Sequence, residues 1–137
     1  MIEPGEVSIA DFAEAGPHPV IVVSREELNR GHYALVVVCT SARFATRSKL
    51  PNCVPFQAGQ FGFTTDCVAQ CENVLSIDKM QLDLDAGPIG LLDAVALHDV
   101  VKAAVASRSR EIAVHYFWLR NIIPSSLSID IAPKTFA

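Results

Sequence analysis

A long stretch of the chain carries positive charge without any acidic residue to neutralise it. Between Glu27 and Asp66 there is no aspartate or glutamate. The stretch contains four cationic side chains and one histidine, which are Arg30, Arg43, Arg47, Lys49 and His32. Arginine presents planar N–H donors that match the oxygens of a phosphate. The pattern predicts either a phosphate-binding surface or a solvated loop, and composition alone leaves both open.

Three aromatic residues lie in or beside this basic stretch. Tyr33 and Phe56 fall in apolar segments that are typical of a core, whereas Phe44 lies inside a polar loop. The bases of single-stranded nucleic acids stack on aromatic side chains that solvent can reach. Phe44 is therefore the aromatic residue that best fits a stacking role.

Four cysteines, Cys39, Cys53, Cys67 and Cys71, are the remaining groups with distinctive chemistry. The last two have the spacing C-x3-C, with no second pair of this kind and no histidine nearby. A structural zinc site needs four ligands, so the pattern predicts no metal site. The N-terminus is acidic and lacks the apolar region of a signal peptide. We therefore expect a cytoplasmic protein whose thiols are reduced and packed as small apolar side chains.

Short apolar runs predict the elements that must position these residues. Candidate strands cover Val7 to Phe12, Val20 to Val23, Tyr33 to Cys39, Asn52 to Phe56, Asp66 to Cys71 and Val74 to Ile77. Ser24 and Glu27 form a capping-box pattern, which predicts a short helix that ends near Asn29. A polar loop is expected from Thr40 to Lys49. Five to seven strands at this spacing predict a compact barrel or sandwich.

The apolar period changes after Gly90. Apolar residues between Val95 and Val105 recur at helical spacing, and Asp93 is a suitable N-cap, so one helix of about 12–14 residues is expected. A further change follows Arg108, where the chain becomes apolar and aromatic. We expect a barrel domain over residues 1–107 and a C-terminal extension over residues 108–137. The aromatic cluster Tyr116–Trp118 should pack on the barrel or on a second copy of the chain.

Length and composition narrow the class of protein. The chain has 137 residues, half of them apolar, which predicts one compact domain with a sizeable core. Its formal net charge of −4 excludes a globally basic nucleic-acid binder. No apolar run approaches the 18 to 20 or so residues of a membrane span.

The order of the sequence motifs resembles that of the PemK/MazF toxins of bacterial toxin–antitoxin pairs. The matching segments are Pro4 to Val7, Pro19 to Ser24, Asn29-Arg30, Val36 to Ser41, Cys71 to Asn73, Ser76 to Lys79 and Ile89 to Leu92. The resemblance extends over about residues 3 to 106. No single motif decides it, whereas the ordered set is specific.

This resemblance implies a fold and an activity. The fold would be mainly β, an SH3-like β-barrel with a C-terminal α-helix, usually assembled as a homodimer. The activity would be that of a growth-inhibiting endoribonuclease that cleaves single-stranded mRNA without a metal or other cofactor. A cognate antitoxin would wrap the dimer and block the RNA groove. Some relatives of this fold act on DNA gyrase instead, so the fold alone does not fix the activity.

The site residues that the resemblance implies are only partly kept in this chain. Thr40 and Ser41 keep the family's Thr-Ser at the end of a core strand, where the hydroxyls bind phosphate or position the attacking 2′-hydroxyl. A turn cap is the alternative role. The strand segment that is Arg-Cys-Asp in PemK-type members is Gln70-Cys71-Glu72 in this chain. Glu72 keeps the carboxylate, whereas Gln70 lacks the positive charge of the family's arginine. His18 stands where most of the family has arginine, and the loop before it, residues 11–17, is short.

Two hypotheses follow from these residues. In the first, the chain is a ribonuclease with His18, Glu72 and Thr40 as catalytic residues. Its substrate-binding residues would be Ser41, Arg25, Arg43, Phe44, Arg47 and Gln70. In the second, the departures at His18 and Gln70 leave a catalytically impaired barrel that binds nucleic acid or protein.

Overall fold

A computed structural model describes residues 2–107, which form one antiparallel six-stranded sheet with three α-helices. The strands are β1 (Glu6–Asp11), β2 (Pro17–Val22), β3 (Tyr33–Thr40), β4 (Cys53–Phe56), β5 (Cys67–Asp78) and β6 (Gly90–Leu91). The helices are α1 (Glu26–Asn29), α2 (Phe44–Arg47) and α3 (Ala94–Ala106), with 3₁₀ turns at Ala13–Ala15 and Lys79–Gln81. The predicted mainly β class with a C-terminal helix is confirmed.

The strands lie in the order β4-β5-β3-β2-β1-β6. Strand β2 pairs with β1 on one side and β3 on the other, with Val20 opposite Val38. Because side chains alternate between the two faces of a strand, this register decides on which of the two faces each residue of β2 and its neighbours lies.

Apolar residues on both faces of the sheet are buried. On the first face, α3 packs onto the strands through Leu97, Val100, Val101 and Ala104. This α3 face also contains Ile21, Val37 and three of the cysteines. The opposite face has a smaller cluster around Val20, Val22, Val36 and Val38. The runs of β-branched residues are therefore buried on both sides, as the sequence predicts.

Strand β5 differs from the prediction of two separate short strands, Asp66 to Cys71 and Val74 to Ile77. It is continuous from Cys67 to Asp78, pairing first with β4 and then along β3. Between the pairs Cys39↔Ala69 and Val37↔Val74, β3 advances two positions while β5 advances five. The extra residues of β5 form a bulge, which bends the strand where the sequence suggested a break.

The short helices also depart from expectation. The N-cap of α1 is Arg25, not Ser24, and no side chain caps the helix. Ser24 is instead buried, where its hydroxyl donates to the Asn29 side chain and accepts from the Leu35 N–H at 3.0 Å. Tertiary partners thus replace the expected capping box. The polar loop after β3 contains the unpredicted helix α2, which follows Arg43 in a left-handed conformation.

Two glycines allow the loop between β4 and β5 to lie against β6. In the loop between β4 and β5, Gly62 has a φ of +87° and lies against the backbone of Ile89. A Cβ atom on Gly62 would be 2.0 Å from the Ile89 carbonyl oxygen, and one on Gly90 would be 1.8 Å from that of Phe61. Only residues without a side chain allow this approach.

Helix α3 is the best-predicted element. Its 13 residues begin after Asp93, whose side chain accepts a hydrogen bond from the Ala96 N–H at 2.8 Å. No helix within residues 2–107 is long and apolar enough to span a bilayer. The predicted extension over residues 108–137, with its aromatic cluster, lies outside the described residues.

Candidate active site

The face of the sheet opposite α3 carries most of the predicted site residues, and we call it the site face. His18 lies two positions before Val20, and Thr40 lies two positions after Val38, its cross-strand partner. Thr40 pairs in turn with Val68 on β5, two positions before Gln70. Strand alternation therefore places His18, Thr40 and Gln70 on one face. The structure brings side chains from β2, β3 and β5 to the same end of the sheet.

His18 is held at the turn between β1 and β2. Its Nε2 lies 3.1 Å from the carbonyl oxygen of Ala15, and its ring centre lies 6.2 Å from that of Phe12. A carbonyl oxygen only accepts hydrogen bonds, so Nε2 carries a hydrogen and donates a hydrogen bond to the Ala15 carbonyl oxygen. In the neutral ring, Nδ1 is then the acceptor nitrogen. The half-buried ring is thus oriented by its own turn.

Thr40 has the turn-capping role that the sequence left open, and its binding of phosphate stays a prediction. Its Oγ1 accepts a hydrogen bond from the N–H of Ala42 at 3.2 Å, which caps the turn after β3. A hydroxyl can accept and donate simultaneously, so the Thr40 proton can still be donated to a phosphate oxygen. Ser41 follows at an exposed position beyond the end of β3.

Arg47 and Gln70 form the first of two polar pairs at the β4–β5 end of this face. Arg47 is the last residue of α2, and its Nη1 donates to Oε1 of Gln70 at 3.5 Å. Gln70 is opposite Cys53 in the β4–β5 ladder, and both members of the pair are half-buried. The contact ties α2 to the sheet through a long hydrogen bond between a cation and a neutral amide.

Asn52 and Glu72 form the second pair. The Nδ2 of Asn52 donates to Oε2 of Glu72 at 2.9 Å. The Asn52 backbone is also fixed, since its carbonyl oxygen accepts from the Cys71 N–H at 2.9 Å. Asn52 was expected at the start of a strand and was not among the predicted site residues. Only the β4–β5 register reveals that it lies beside Glu72.

The two pairs lie close enough together to act on one thiol. Burial raises the pKa of Cys53, the Glu72 carboxylate raises it further and the Arg47 guanidinium lowers it. Both charged side chains therefore act electrostatically on the Cys53 thiol. On the reverse face of β5, burial is the main cause that raises the pKa of Cys71 to about 12, so this thiol is un-ionised at neutral pH.

Other predicted residues lie around this cluster or away from it. Arg43 and Phe44 open helix α2, with Arg43 exposed and Phe44 half-buried. Arg25, the N-cap of α1, contacts Glu27 with 3.4 Å between Nε and Oε2. The four cysteines are free thiols, and no group of three or more potential metal ligands occurs within the described part of the chain.

The motif resemblance is supported by a direct family match. A model of the PemK-like, MazF-like toxins of type II toxin–antitoxin systems matches residues 3–107. The chain belongs to this toxin family. Endoribonuclease EndoA of Bacillus subtilis (strain 168) is 30% identical over 88 residues, covering 60% of this chain and 75% of EndoA.

Solved structures confirm the fold of this PemK/MazF family member. The Mycobacterium tuberculosis toxin MazF-mt6 superposes with a TM-score of 0.62 at 21% identity, covering 74% of this chain and 94% of that toxin. A mycobacterial endoribonuclease solved with its cognate antitoxin gives a TM-score of 0.64 at 19% identity, with coverages of 78% and 94%. MazE-MazF from Deinococcus radiodurans gives 0.60 at 17% identity, with coverages of 77% and 92%.

Proposed function

We propose that this PemK/MazF toxin is a metal-independent endoribonuclease that cleaves single-stranded RNA. The observation that carries the proposal is the pairing of Asn52 with Glu72 beside Arg47 and Gln70. A carboxylate and a cation on one face can take a proton from a hydroxyl and stabilise the charge that develops on a phosphate. The chain is also 30% identical to an endoribonuclease over 88 residues.

The proposed reaction uses the 2′-hydroxyl of the RNA as the nucleophile. Glu72 takes the 2′-hydroxyl proton as the 2′-oxygen bonds to the adjacent phosphorus. The bond from phosphorus to the 5′-oxygen breaks, and protonated His18 gives that oxygen a proton. The products are a 2′,3′-cyclic phosphate and a 5′-hydroxyl. The Thr40 hydroxyl donates a hydrogen bond to a phosphate oxygen during this step.

The residues around this centre would hold the RNA strand. Ser41 and Arg43 are exposed after β3 and offer donors to neighbouring phosphates, while Phe44 offers a face for a base. Arg25, whose Nε lies 3.4 Å from Glu27 Oε2, is the remaining residue proposed to bind the strand. The acid-free stretch between Glu27 and Asp66 supplies the positive charge that attracts the RNA backbone.

A binding module is the second candidate function, and a specific observation favours it. His18 donates to Ala15 and Thr40 accepts from Ala42, so both already contribute to local turns. A protein that only binds RNA or a peptide through this face needs no proton donor at His18. Under either function, we propose a cytoplasmic homodimer whose partner is a cognate antitoxin.

Cleavage of a long single-stranded RNA in EDTA tests the enzyme. The 5′ ends of the fragments are mapped for wild type, His18→Ala and Glu72→Ala. His98→Ala and Asp99→Ala on α3 serve as matched controls. Site-specific fragments with 5′-hydroxyl ends from wild type and both controls, and loss in both site variants, are expected. Intact RNA with folded wild-type protein would favour the binding module, and a strict magnesium requirement would refute metal independence.

A further inference from the structure

We propose that Arg47 is the catalytic cation of this site and that Gln70 is its positioning residue. In this assignment, the Arg47 guanidinium contacts the non-bridging oxygens of the phosphate that is attacked. Gln70 holds the guanidinium and does not itself bind RNA, which revises the substrate-binding role expected from the sequence. The inference rests on the proposed ribonuclease function.

The contacts of Arg47 leave it able to bind an anion. A guanidinium has five N–H donors, and the described contacts use one of them, from Nη1 to Gln70. Within residues 2–107, Arg47 forms no salt bridge. Its side chain is half-buried on α2 and ends in a planar guanidinium head. Such a head can contact two phosphate oxygens at once.

The neutrality of Gln70 explains how the cation can be both held and available. The amide oxygen accepts one hydrogen bond and fixes the direction of the guanidinium. Because an amide has no net charge, the full positive charge of Arg47 remains to act on the substrate. A carboxylate at position 70 would hold Arg47 more strongly and would also neutralise it.

The position of Arg47 relative to Glu72 suits one phosphate between them. Gln70 and Glu72 are two residues apart on β5, so their Cα atoms are at most about 7 Å apart. Both Arg47 and Glu72 shift the pKa of the same thiol, Cys53. A base for the 2′-hydroxyl and a cation for the phosphate oxygens are needed at this kind of separation. His18 lies two strands away from β5, beyond β3.

An exchange of the cation between the two positions tests the assignment. We would measure kcat and KM on a short RNA with one cleavage site. Arg47→Ala should lower kcat by about 10²–10³-fold, the usual loss when one charge-stabilising donor is removed. Arg47→Lys should keep part of the activity. The double variant Arg47→Ala/Gln70→Arg should regain at least tenfold over Arg47→Ala, because it returns a guanidinium to the same place.

Gln70→Glu separates a catalytic charge from a structural contact. A structural role predicts full activity for this variant, since the ion pair holds α2 at least as well. The proposed role predicts an unchanged or higher melting temperature and a kcat at least tenfold lower. Lys102→Ala on α3 removes the same charge from the other face and should change neither kcat nor melting temperature.

The outcomes distinguish this inference from the proposed function. If wild type leaves RNA intact, the ribonuclease proposal fails and takes the role of Arg47 with it. If wild type cleaves and Arg47→Ala keeps kcat within threefold, the ribonuclease stands and the inference is wrong. Full activity of Gln70→Glu, or a double variant no better than Arg47→Ala, would equally overturn it.

Discussion

Two asparagines in this chain show the difference between a polar group that builds the fold and one that serves a site. The Asn29 side chain is 2% exposed and is fully engaged. It accepts from the Ser24 hydroxyl and donates to the carbonyl oxygens of Ser24 and Ile2 at 2.8 and 3.1 Å. The backbone carbonyl oxygen of Asn29 accepts a hydrogen bond from Lys79 Nζ at 2.7 Å. Asn52 is half-buried and is linked through its side chain to Glu72.

The comparison teaches that burial and saturation accompany a structural role. The cluster around Asn29 joins the N-terminal segment, α1, β3 and the turn after β5 through buried and half-buried hydrogen bonds. The pairs of Asn52 with Glu72 and Arg47 with Gln70 lie at the surface, where a substrate can reach them. Four variants test this contrast, in order of decreasing effect on the free energy of unfolding.

The largest loss should come from the close approach of Gly62 to Ile89. Gly62→Ala should lower the free energy of unfolding by about 4 kcal/mol or more, because the added Cβ meets the Ile89 carbonyl oxygen. Gly59→Ala in the same loop is the control, with a similar φ of +93° and open space around it. It should lose only about 1 kcal/mol. Urea unfolding measures both, and equal losses would show that backbone conformation, not close packing, requires Gly62.

Asn29→Ala should have the next largest effect. The change removes three side-chain hydrogen bonds and leaves buried partners unsatisfied, which should lower the free energy of unfolding by about 3 kcal/mol. Urea unfolding curves at pH 7 would give the value. A loss below about 1 kcal/mol would contradict the structural assignment of this cluster.

The reverse face of β5 predicts a loss of stability in alkaline solution. Burial raises the pKa of Cys71 to about 12, above that of a thiol in the unfolded chain. The unfolded state therefore loses its thiol proton first, so stability is intact below about pH 8.5 and falls from there up to about pH 12. One such thiol contributes a slope of at most about 1.4 kcal/mol per pH unit. The free energy of unfolding of Cys71→Ala should fall less steeply over that range. Parallel curves for the variant and the wild type would show that the Cys71 thiol is not the cause.

Asn52→Ala should have the smallest effect on folding. Its bond to Glu72 lies at the surface, so the free energy of unfolding should change by less than about 0.5 kcal/mol. RNA cleavage should nevertheless fall about tenfold, because the Glu72 carboxylate is no longer oriented. RNA cleavage by Asn52→Asp should fall further, since this variant places a second negative charge beside Glu72. A stability loss as large as that of Asn29→Ala would abolish the contrast between the two asparagines.

Much of the fold was predictable because burial and turn chemistry are local signals. The β-branched runs of β2 and β3 are buried on both faces, and Asp93 caps α3 as its position predicts. The continuity of β5 was not predictable, since polar residues at a bulge have the composition of a turn. Ser24 matched a capping pattern while its hydroxyl serves a partner on β3, and such tertiary partners leave no mark in a short window.

The site was predictable to a lesser degree. The motif resemblance selected Thr40, Gln70 and Glu72, which strand alternation assigns to the site face. It could not reveal that Asn52 holds Glu72, because that contact depends on the register between β4 and β5. The contact between Arg47 and Gln70 required the position of α2, a four-residue helix with no apolar period of its own.

The pairing of β1 with β6 has a consequence for the time at which this toxin becomes complete. It joins Val7 to Gly90, which is 83 residues later in the chain. Ribosomes add about 5–20 residues per second, so about 4–17 s of synthesis separate the two partners. Helix α3, which covers the core, follows β6 in the chain. A growing chain therefore lacks both the last strand and the covering helix, and we expect no harm to the cell before synthesis has passed residue 106.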